Sequence, residues 1–259
     1  MPASYRPPRI AGHCQIQLRD DTHESLLLPC LPSPARALAD PRKTPFNGST
    51  QVTARRGRLY VIAAPSGAGK TSLVRAILER RPQLRFSISC TTRPRRPAEQ
   101  EGRDYFFIER AEFVSRIAAG AFLEYARVFD NYYGTLKAPV EGLLGQGHDV
   151  ILEIDWQGAR QVRAAMAECL SIFILPPSLT ELERRLRGRA TDSDEVIERR
   201  LREARGDMSH WDEFDYVVIN EDFARALDDL EAVVTGQGEH LRAPRPELDW
   251  LMPTLTSAD

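Results

Sequence analysis

The chain has 259 residues, of which 42% are hydrophobic and 28% charged, and this length allows one globular domain with extensions or two small domains. Its net charge is −2 and its pI is near 6.3, whereas a nucleic-acid-binding domain commonly has a pI above about 9. No apolar run approaches the roughly 18 residues that a membrane helix needs. We therefore expect neither nucleic acid nor a membrane among the partners, and the sequence leaves open whether the chain forms a homo-oligomer.

The cysteines are scattered, with no CxxC or Cys/His spacing, at Cys14, Cys30, Cys90 and Cys169. This pattern predicts neither a disulfide framework nor a zinc site. It favours a reducing, cytoplasmic location.

Residues 1–56 are rich in proline, arginine and small polar residues and have no sustained hydrophobic period. Such a composition cannot bury enough apolar surface to offset the entropy lost on ordering, so we expect a disordered N-terminal extension. A targeting peptide is the alternative, although the charged, apolar and small-residue regions of a secretory signal are not present in order. A third interpretation is a true start further downstream, for instance at Val52.

From Gly57 onward, apolar runs typical of buried strands alternate with helical patterns. The first pair is a strand over residues 59–63 and a helix over 71–80, which ends before Pro82. Such repeated units predict an α/β domain over residues 57–236 with a parallel sheet flanked by helices. Further units of this kind are predicted at 150–154 with 159–167, at 172–175 with 179–187, and at 216–219 with 223–234.

The pattern changes over residues 86–135. The segments FSISC, YFFIE and AFLEYARVF are short strand candidates, and a helical stretch lies near 113–117. They predict a small mixed α/β subdomain inserted into the parallel scaffold. Residues 237–259 lack periodicity, so we expect a loose C-terminal tail.

A phosphate-binding loop is predicted directly after the first strand. The segment APSGAGKT matches GxxxxGK(S/T) at every position but the first, where Ala64 replaces glycine. In such a loop the backbone N–H groups converge on phosphate oxygens, a lysine reaches the outer phosphates and a hydroxyl ligates magnesium. The predicted ATP-binding residues are Ala64, Pro65, Ser66, Gly67, Ala68, Gly69, Lys70 and Thr71.

Several longer segments carry a more specific likeness: SCTTRPRRPAEQEGRDYFFI, AFLEYARVFDNYYGT, ILEIDWQGA, SIFILPPS, RRLRGR and YVVINED. Through them, the chain from about Arg58 to Val234 resembles the guanylate kinase family. The resemblance implies a P-loop kinase fold whose inserted subdomain, 86–135, binds GMP and whose residues 184–205 form a helical lid. It also implies transfer of the γ-phosphoryl group of ATP to GMP, which gives ADP and GDP, with Mg²⁺ as the cofactor.

In that family two arginines and two tyrosines hold the phosphate of GMP, and they correspond here to Arg93, Arg96, Tyr105 and Tyr133. Guanidinium groups bind phosphate bidentately, at about 1.5 to 3 kcal/mol per charge-assisted bond, and phenol hydroxyls complete the shell. Taken alone, the RPRR segment would be a solvated basic loop.

The family reads guanine with a carboxylate and two hydroxyls, which correspond to Glu124, Ser89 and Thr135. Guanine presents N1–H and its 2-amino group as neighbouring donors, whereas adenine has an acceptor at N1. A carboxylate therefore fits guanine and would face an acceptor in adenine.

The segment ILEIDWQGA places Glu153 and Asp155 at alternate positions of a predicted strand, so they are expected on one face. The commoner family form has aspartate at both. The resemblance implies that Glu153 orders magnesium through water and that Asp155 contacts GMP. The DWQG segment also resembles the DxxG motif of GTPases, but the guanine-reading NKxD motif is absent from the sequence.

The resemblance also identifies the lid residues that reach ATP. Arg185, Arg189 and Arg200 correspond to its phosphate-binding arginines, and Ala190 stands where glycine is usual. Asn220, after the last strand, corresponds to a residue that contacts adenine.

Two other functions remain open at this level. One is a non-catalytic guanylate-kinase-like protein-binding module, although such modules lack an intact phosphate loop. The other is a kinase for a different small phosphorylated acceptor, a question that depends on Glu124. No general base is expected, because the acceptor phosphate, with a second pKa of about 6, is already ionised near neutral pH.

Overall fold

The computed structural model describes residues 55–128, 130–188 and 193–257. Apart from its last two residues, the N-terminal extension expected over 1–56 lies outside this range. The strands are β1 (Leu59–Ala63), β2 (Arg85–Phe86), β3 (Cys90–Thr91), β4 (Phe106–Phe107), β5 (Phe122–Val128), β6 (Asn131–Leu136), β7 (Val150–Glu153), β8 (Leu170–Leu175) and β9 (Tyr216–Ile219).

The helices include the four that were predicted to alternate with the main strands. None of the helices in the described residues is both long and apolar enough to cross a membrane. The helices are α1 (Lys70–Arg80), α2 (Arg110–Ala118), α3 (Lys137–Gly145), α4 (Trp156–Ala165), α5 (Leu179–Arg187), α6 (Asp194–Met208), α7 (Phe223–Val234) and α8 (Pro246–Thr256).

Five strands form a parallel sheet in the order β2, β7, β1, β8, β9. This confirms the predicted α/β architecture. All five residues of β1 are buried, as expected for a strand covered on both faces. Successive side chains of a strand point to opposite faces, so β1 contributes Val61 to one core and Ile62 to the other. The carboxyl ends of these strands lie at one edge of the sheet, where the phosphate loop follows β1.

The remaining strands form a second sheet in the order β4, β3, β6, β5. It mixes parallel and antiparallel pairs and corresponds to the predicted inserted subdomain. Phe113 of α2 is fully buried and stacks on Phe122 of β5, with 4.3 Å between ring centroids. The single strand predicted over 86–90 is wrong, because β2 pairs with β7 in the parallel sheet whereas Cys90 belongs to the second sheet.

The prediction of a loose tail over 237–259 is also wrong for the residues described. Helix α8 packs Leu248, Leu251, Met252 and Leu255 into the main core. Their spacing of three, four and seven residues is that of one helical face. The prolines of this segment obscured the pattern, although Pro246 lies in the first turn, where the missing N–H costs nothing.

Candidate active site

The phosphate loop lies between β1 and α1 and depends on two glycines. Gly67 has φ +91° and Gly69 has φ +97°, a backbone region that other residues rarely adopt. A Cβ on Gly69 would lie 2.3 Å from Nδ2 of Asn220, and one on Gly67 would lie 2.9 Å from Cδ1 of Leu182. Both positions of the turn therefore favour glycine, and α1 begins at Lys70, one residue earlier than predicted. The unpaired N–H groups of its first turn form a site for an anion.

Lys70 lies at the mouth of this loop. Its Nζ donates a hydrogen bond to the backbone oxygen of Ile154 at 2.8 Å and lies 4.0 Å from Oε1 of Glu153. Burial lowers the pKa of Lys70, and the negative charge of Glu153 opposes that shift. The ammonium group is thus held at the carboxyl ends of β1 and β7, next to the predicted phosphate position.

Thr71 and Glu153 meet beside the lysine. The hydroxyl of Thr71 donates a hydrogen bond to Oε1 of Glu153. A hydroxyl and a carboxylate are hard oxygen ligands of the kind that Mg²⁺ takes together with substrate phosphates and water. This pair therefore fits the magnesium ion that the predicted chemistry requires.

Asp155 does not share a strand face with Glu153, because β7 ends at Glu153. Asp155 instead caps α4, and its carboxylate accepts a hydrogen bond from the N–H of Gly158 at 2.7 Å. An aspartate at this position satisfies one of the free N–H groups of a helix N-terminus. The prediction of one shared face is wrong because the chain enters a helix before the strand period is complete.

Three of the four residues predicted to hold the acceptor phosphate lie together in the second sheet and its loop. The guanidinium carbon of Arg93 lies 5.6 Å from the ring centroid of Tyr105, and the rings of Tyr105 and Tyr133 have centroids 5.9 Å apart. Arg96 lies on the neighbouring exposed loop.

Glu99 belongs to the same cluster, and the sequence analysis missed it. Its Oε1 accepts a hydrogen bond from Nη2 of Arg93 at 2.7 Å, and its Oε2 accepts one from the backbone N–H of Arg96 at 2.9 Å. The sequence does not predict this ion pair, because Arg93 and Glu99 are six positions apart in an irregular loop. A carboxylate therefore occupies part of the predicted anion site.

The predicted base-reading residues also lie together. Glu124 is 5% exposed, and the hydroxyl of Thr135 donates a hydrogen bond to its Oε1 at 2.7 Å. Ser89 Oγ lies 3.4 Å from Oγ1 of Thr135. The pKa of Glu124 is raised to about 7, chiefly by burial; the Thr135 hydrogen bond opposes the rise and the charge of Asp155 adds to it. A buried carboxyl with free acceptor capacity can bind a pair of neighbouring N–H donors.

A cleft of about 830 Å³ joins the phosphate loop to the inserted subdomain. Its walls include Lys70 and Thr71 on one side and Ser89 and Tyr105 on the other. Cationic side chains line the cleft on both sides, with Lys70 and Arg75 on one and Arg103 on the other. Four charged residues on its wall were not predicted as site residues: Arg75, Glu99, Arg103 and Asp104.

The lid arginines are only partly described. Arg185 on α5 donates hydrogen bonds to Oε1 of Glu181 at 2.7 Å and to the backbone oxygen of Asn220 at 2.8 Å. Arg200 lies on α6 and is half-buried. Arg189 and Ala190 lie outside the described residues. Arg185 is thus held beside the phosphate loop.

Asn220 follows β9 and is 4% exposed. Its Nδ2 donates a hydrogen bond to the backbone oxygen of Ala68 at 2.7 Å, so the side chain stabilises the backbone of the phosphate loop. The contact with adenine stays a prediction, and the supporting role depends on a contact between distant parts of the chain that no local pattern reveals.

Comparison with known proteins gives a consistent result. Residues 56–237 match the family model described as guanylate kinase. The chain is 56% identical over 200 residues to a guanylate kinase of Methylococcus capsulatus, which covers 77% of this chain and 98% of the relative. It is 57% identical over 187 residues to a guanylate kinase of Hahella chejuensis, with 72% and 89% covered. A crystal structure of guanylate kinase from Anaplasma phagocytophilum has a TM-score of 0.58 and 31% identity, and the match covers 79% of this chain and 98% of that one.

Proposed function

The chain belongs to the guanylate kinase family, and we propose that it transfers the γ-phosphoryl group of ATP to GMP, giving ADP and GDP. The observation that carries this proposal is the placement of the buried Glu124 carboxyl beside Thr135, in the subdomain across the cleft from an intact phosphate loop. A carboxylate acceptor pairs with N1–H and the 2-amino group of guanine, and adenine offers no such pair of donors.

ATP is assigned to the phosphate-loop side. The backbone N–H groups of residues 66–71, which include the N-terminus of α1, bind the β- and γ-phosphates, and Lys70 reaches the transferred group. Arg185, Arg189 and Arg200 would neutralise charge on the same phosphates when the lid closes. Arg185 must leave Glu181 or share it, because the two already form an ion pair at 2.7 Å.

GMP is assigned to the inserted subdomain. Arg93, Arg96, Tyr105 and Tyr133 hold its phosphate, whereas Glu124, Ser89 and Thr135 read its base. Asp155 is assigned to the same site, which is supported by its position beside Glu124: a Cβ on Gly158 would lie 2.8 Å from Oε2 of Glu124 and 3.3 Å from Oδ1 of Asp155.

Magnesium is the proposed cofactor, held by Thr71 and, through water, by Glu153. When bound it would neutralise phosphate charge and orient the phosphoryl group for transfer. The longer side chain of Glu153 still reaches Thr71, as their hydrogen bond indicates.

The reaction needs charge compensation rather than a base. A phosphate oxygen of GMP attacks the γ-phosphorus in line, and its second pKa of about 6 leaves it ionised at neutral pH. Lys70 and the arginines of both halves stabilise the negative charge as the two nucleotides approach. Closure of the lid excludes water, so that ATP is not hydrolysed instead.

We place this activity in the cytoplasm with ATP and GMP as the ligands. Cys90 and Cys169 are both free and buried, which suits a reducing compartment.

A coupled assay of ADP release tests the proposal. With ATP and magnesium, GMP should be a substrate, and AMP, CMP and UMP should each be at least about 10³-fold poorer, since sites built on hydrogen bonds reject analogues strongly. Glu124→Gln should raise the KM for GMP by about 10- to 100-fold, the value of one lost charge-assisted interaction. The control is Glu109→Gln, an exposed glutamate of the same subdomain.

Two results would overturn the proposal. No ADP release with any acceptor would favour a non-catalytic binding module. Equal rates with GMP and AMP or CMP would show that the acceptor is a different phosphorylated compound.

A further inference from the structure

Gln161 of α4 binds the backbone of the strand that carries Glu124. Its Oε1 accepts a hydrogen bond from the N–H of Tyr125 at 3.1 Å, and its Nε2 donates one to the oxygen of Tyr125 at 2.8 Å. One side-chain amide thus satisfies both backbone groups of the residue that follows Glu124.

This contact lies at a free strand edge. Among the described strands, β5 is the last of the second sheet and pairs only with β6. The outer N–H and C=O groups of an edge strand need partners, and a side-chain amide offers the same donor and acceptor as a neighbouring strand. Gln161 takes that place at one position, next to the base-reading residue.

The same face of α4 also contacts the Glu124 carboxylate itself. A Cβ built on Gly158 would lie 2.8 Å from Oε2 of Glu124. Gly158 and Gln161 are three residues apart and therefore lie on one side of the helix. The helix meets the carboxylate through the first residue and the strand backbone through the second.

The two contacts join separate sheets. Helix α4 packs its Ala159 and Val162 in the core of the parallel sheet that carries the phosphate loop, whereas Glu124 belongs to the inserted subdomain. The contacts of Gly158 and Gln161 with β5 therefore set the position of the Glu124 carboxylate relative to the phosphate loop.

We propose that Gln161 is a positioning residue for guanine recognition, which holds the β5 backbone against α4 so that the Glu124 carboxylate faces the base of the acceptor nucleotide. The inference rests on the proposed function, because it assigns a role within the GMP site. Without the two hydrogen bonds of Gln161, Glu124 keeps its carboxyl group and its hydrogen bond with Thr135, but its distance from the base is no longer fixed.

Gln161→Met is the informative variant, since methionine keeps the length of an unbranched side chain and removes both hydrogen bonds. We expect the KM for GMP to rise about tenfold and kcat to fall less than about threefold, because a loosened carboxylate weakens base binding more than phosphoryl transfer. The KM for ATP should not change. Arg163→Ala, an exposed substitution on the same helix, should behave like the unmodified protein.

Inosine monophosphate separates positioning from a general structural effect. It lacks the 2-amino group, so a well-placed carboxylate discriminates against it. Gln161→Met should reduce the preference for GMP over inosine monophosphate by about fivefold or more, since misplaced hydrogen-bonding groups lose selectivity. Simple destabilisation would lower the active fraction and leave this ratio unchanged.

Gly158→Ala tests the same contact from the other side, since its methyl group would displace the carboxylate directly. It should reproduce the rise in KM and the loss of preference, and it serves if Gln161→Met does not fold. An unmodified protein with no activity toward GMP would overturn the proposed function. An active protein whose KM and preference are unchanged by Gln161→Met would overturn only the role of Gln161.

Discussion

The carboxylate of Glu99 accepts a hydrogen bond from the guanidinium of Arg93 at 2.7 Å, within the cluster assigned to the acceptor phosphate. Both side chains are mostly shielded, at 15% and 16% exposure. The hydrogen bond from Arg93, with a smaller effect of its positive charge, lowers the pKa of Glu99, so the carboxylate is ionised at neutral pH. A phosphate that binds Arg93 must displace or tolerate this negative charge.

Replacement of Glu99 should therefore strengthen anion binding. In Glu99→Gln the amide oxygen can still accept the N–H of Arg96, but the competing charge is lost. We expect the KM for GMP to fall about two- to fivefold, as suits a partly exposed ion pair. Inorganic phosphate should also inhibit the variant more strongly.

Steady-state kinetics at fixed ATP measure this effect, and the gain should shrink in high salt because charge repulsion is screened. Glu109→Gln removes the same charge at an exposed position outside the cluster. A higher KM for GMP in Glu99→Gln would mean that Glu99 mainly orders Arg93 for binding.

Binding of GMP should depend on pH through Glu124. Its pKa is about 7 in the free protein, and only the ionised form accepts both guanine donors. The KM for GMP should rise about tenfold between pH 8 and pH 6, following the ionised fraction. Since the phosphate of GMP titrates in the same range, Glu124→Gln is the reference, and its pH profile should lack the Glu124 component. Identical profiles would contradict the assignment.

The same shift predicts a pH effect on stability. The pKa of Glu124 is raised from 4.5, so the folded protein holds this proton more tightly than the unfolded chain. The contribution of Glu124 is then fully present below pH 4.5 and is lost as the pH rises to about 7. Relative to Glu124→Gln, the protein should lose about 1 to 3 kcal/mol of unfolding free energy between pH 5 and pH 8. Urea unfolding at several pH values measures the difference, and a constant difference would argue against the raised pKa.

Lys70→Ala should abolish most turnover and leave the fold intact. The ammonium group contributes charge at the site of phosphoryl transfer, and loss of one such group lowers kcat by about 10² to 10³. The melting temperature should change by less than about 4 °C, because a single hydrogen bond contributes only about 1 kcal/mol. Lys137→Ala, at an exposed lysine where α3 begins, is the matched control. Turnover equal to that of the control would remove Lys70 from the mechanism.

The C-terminal helix should contribute to global stability. Leu251 is 1% exposed and packs in the main core, so Leu251→Ala should cost about 2 to 5 kcal/mol. The neighbouring Trp250 is 64% exposed, and Trp250→Ala should cost less than about 1 kcal/mol. Chemical denaturation distinguishes the two, and similar unfolding midpoints would mean that α8 does not hold the core together.

The sequence by itself determined the elements whose signals are local. A continuous apolar run, two glycines and a lysine predict the strand, turn and helix around Lys70. Hydrophobic periodicity and the conformational freedom of glycine are both properties of a few neighbouring residues, so the sequence shows them directly. The order of strands and helices likewise predicted the parallel sheet, since repeated units have few allowed topologies. The resemblance of longer segments supplied the candidate base-reading and phosphate-binding residues, and the structure brings Glu124 and Thr135 into contact.

Only the tertiary structure decided which partners these residues have. The side chain of Asn220 donates to the backbone oxygen of Ala68, and that of Gln161 donates to the backbone oxygen of Tyr125. The carboxylate of Glu99 accepts from the guanidinium of Arg93. Each contact is a side-chain hydrogen bond whose partners are brought together by packing or by an irregular loop, so no period in the sequence encodes it. The docking of α8 belongs to the same class, because its proline-rich segment becomes a helix only where the core offers a surface for Leu251.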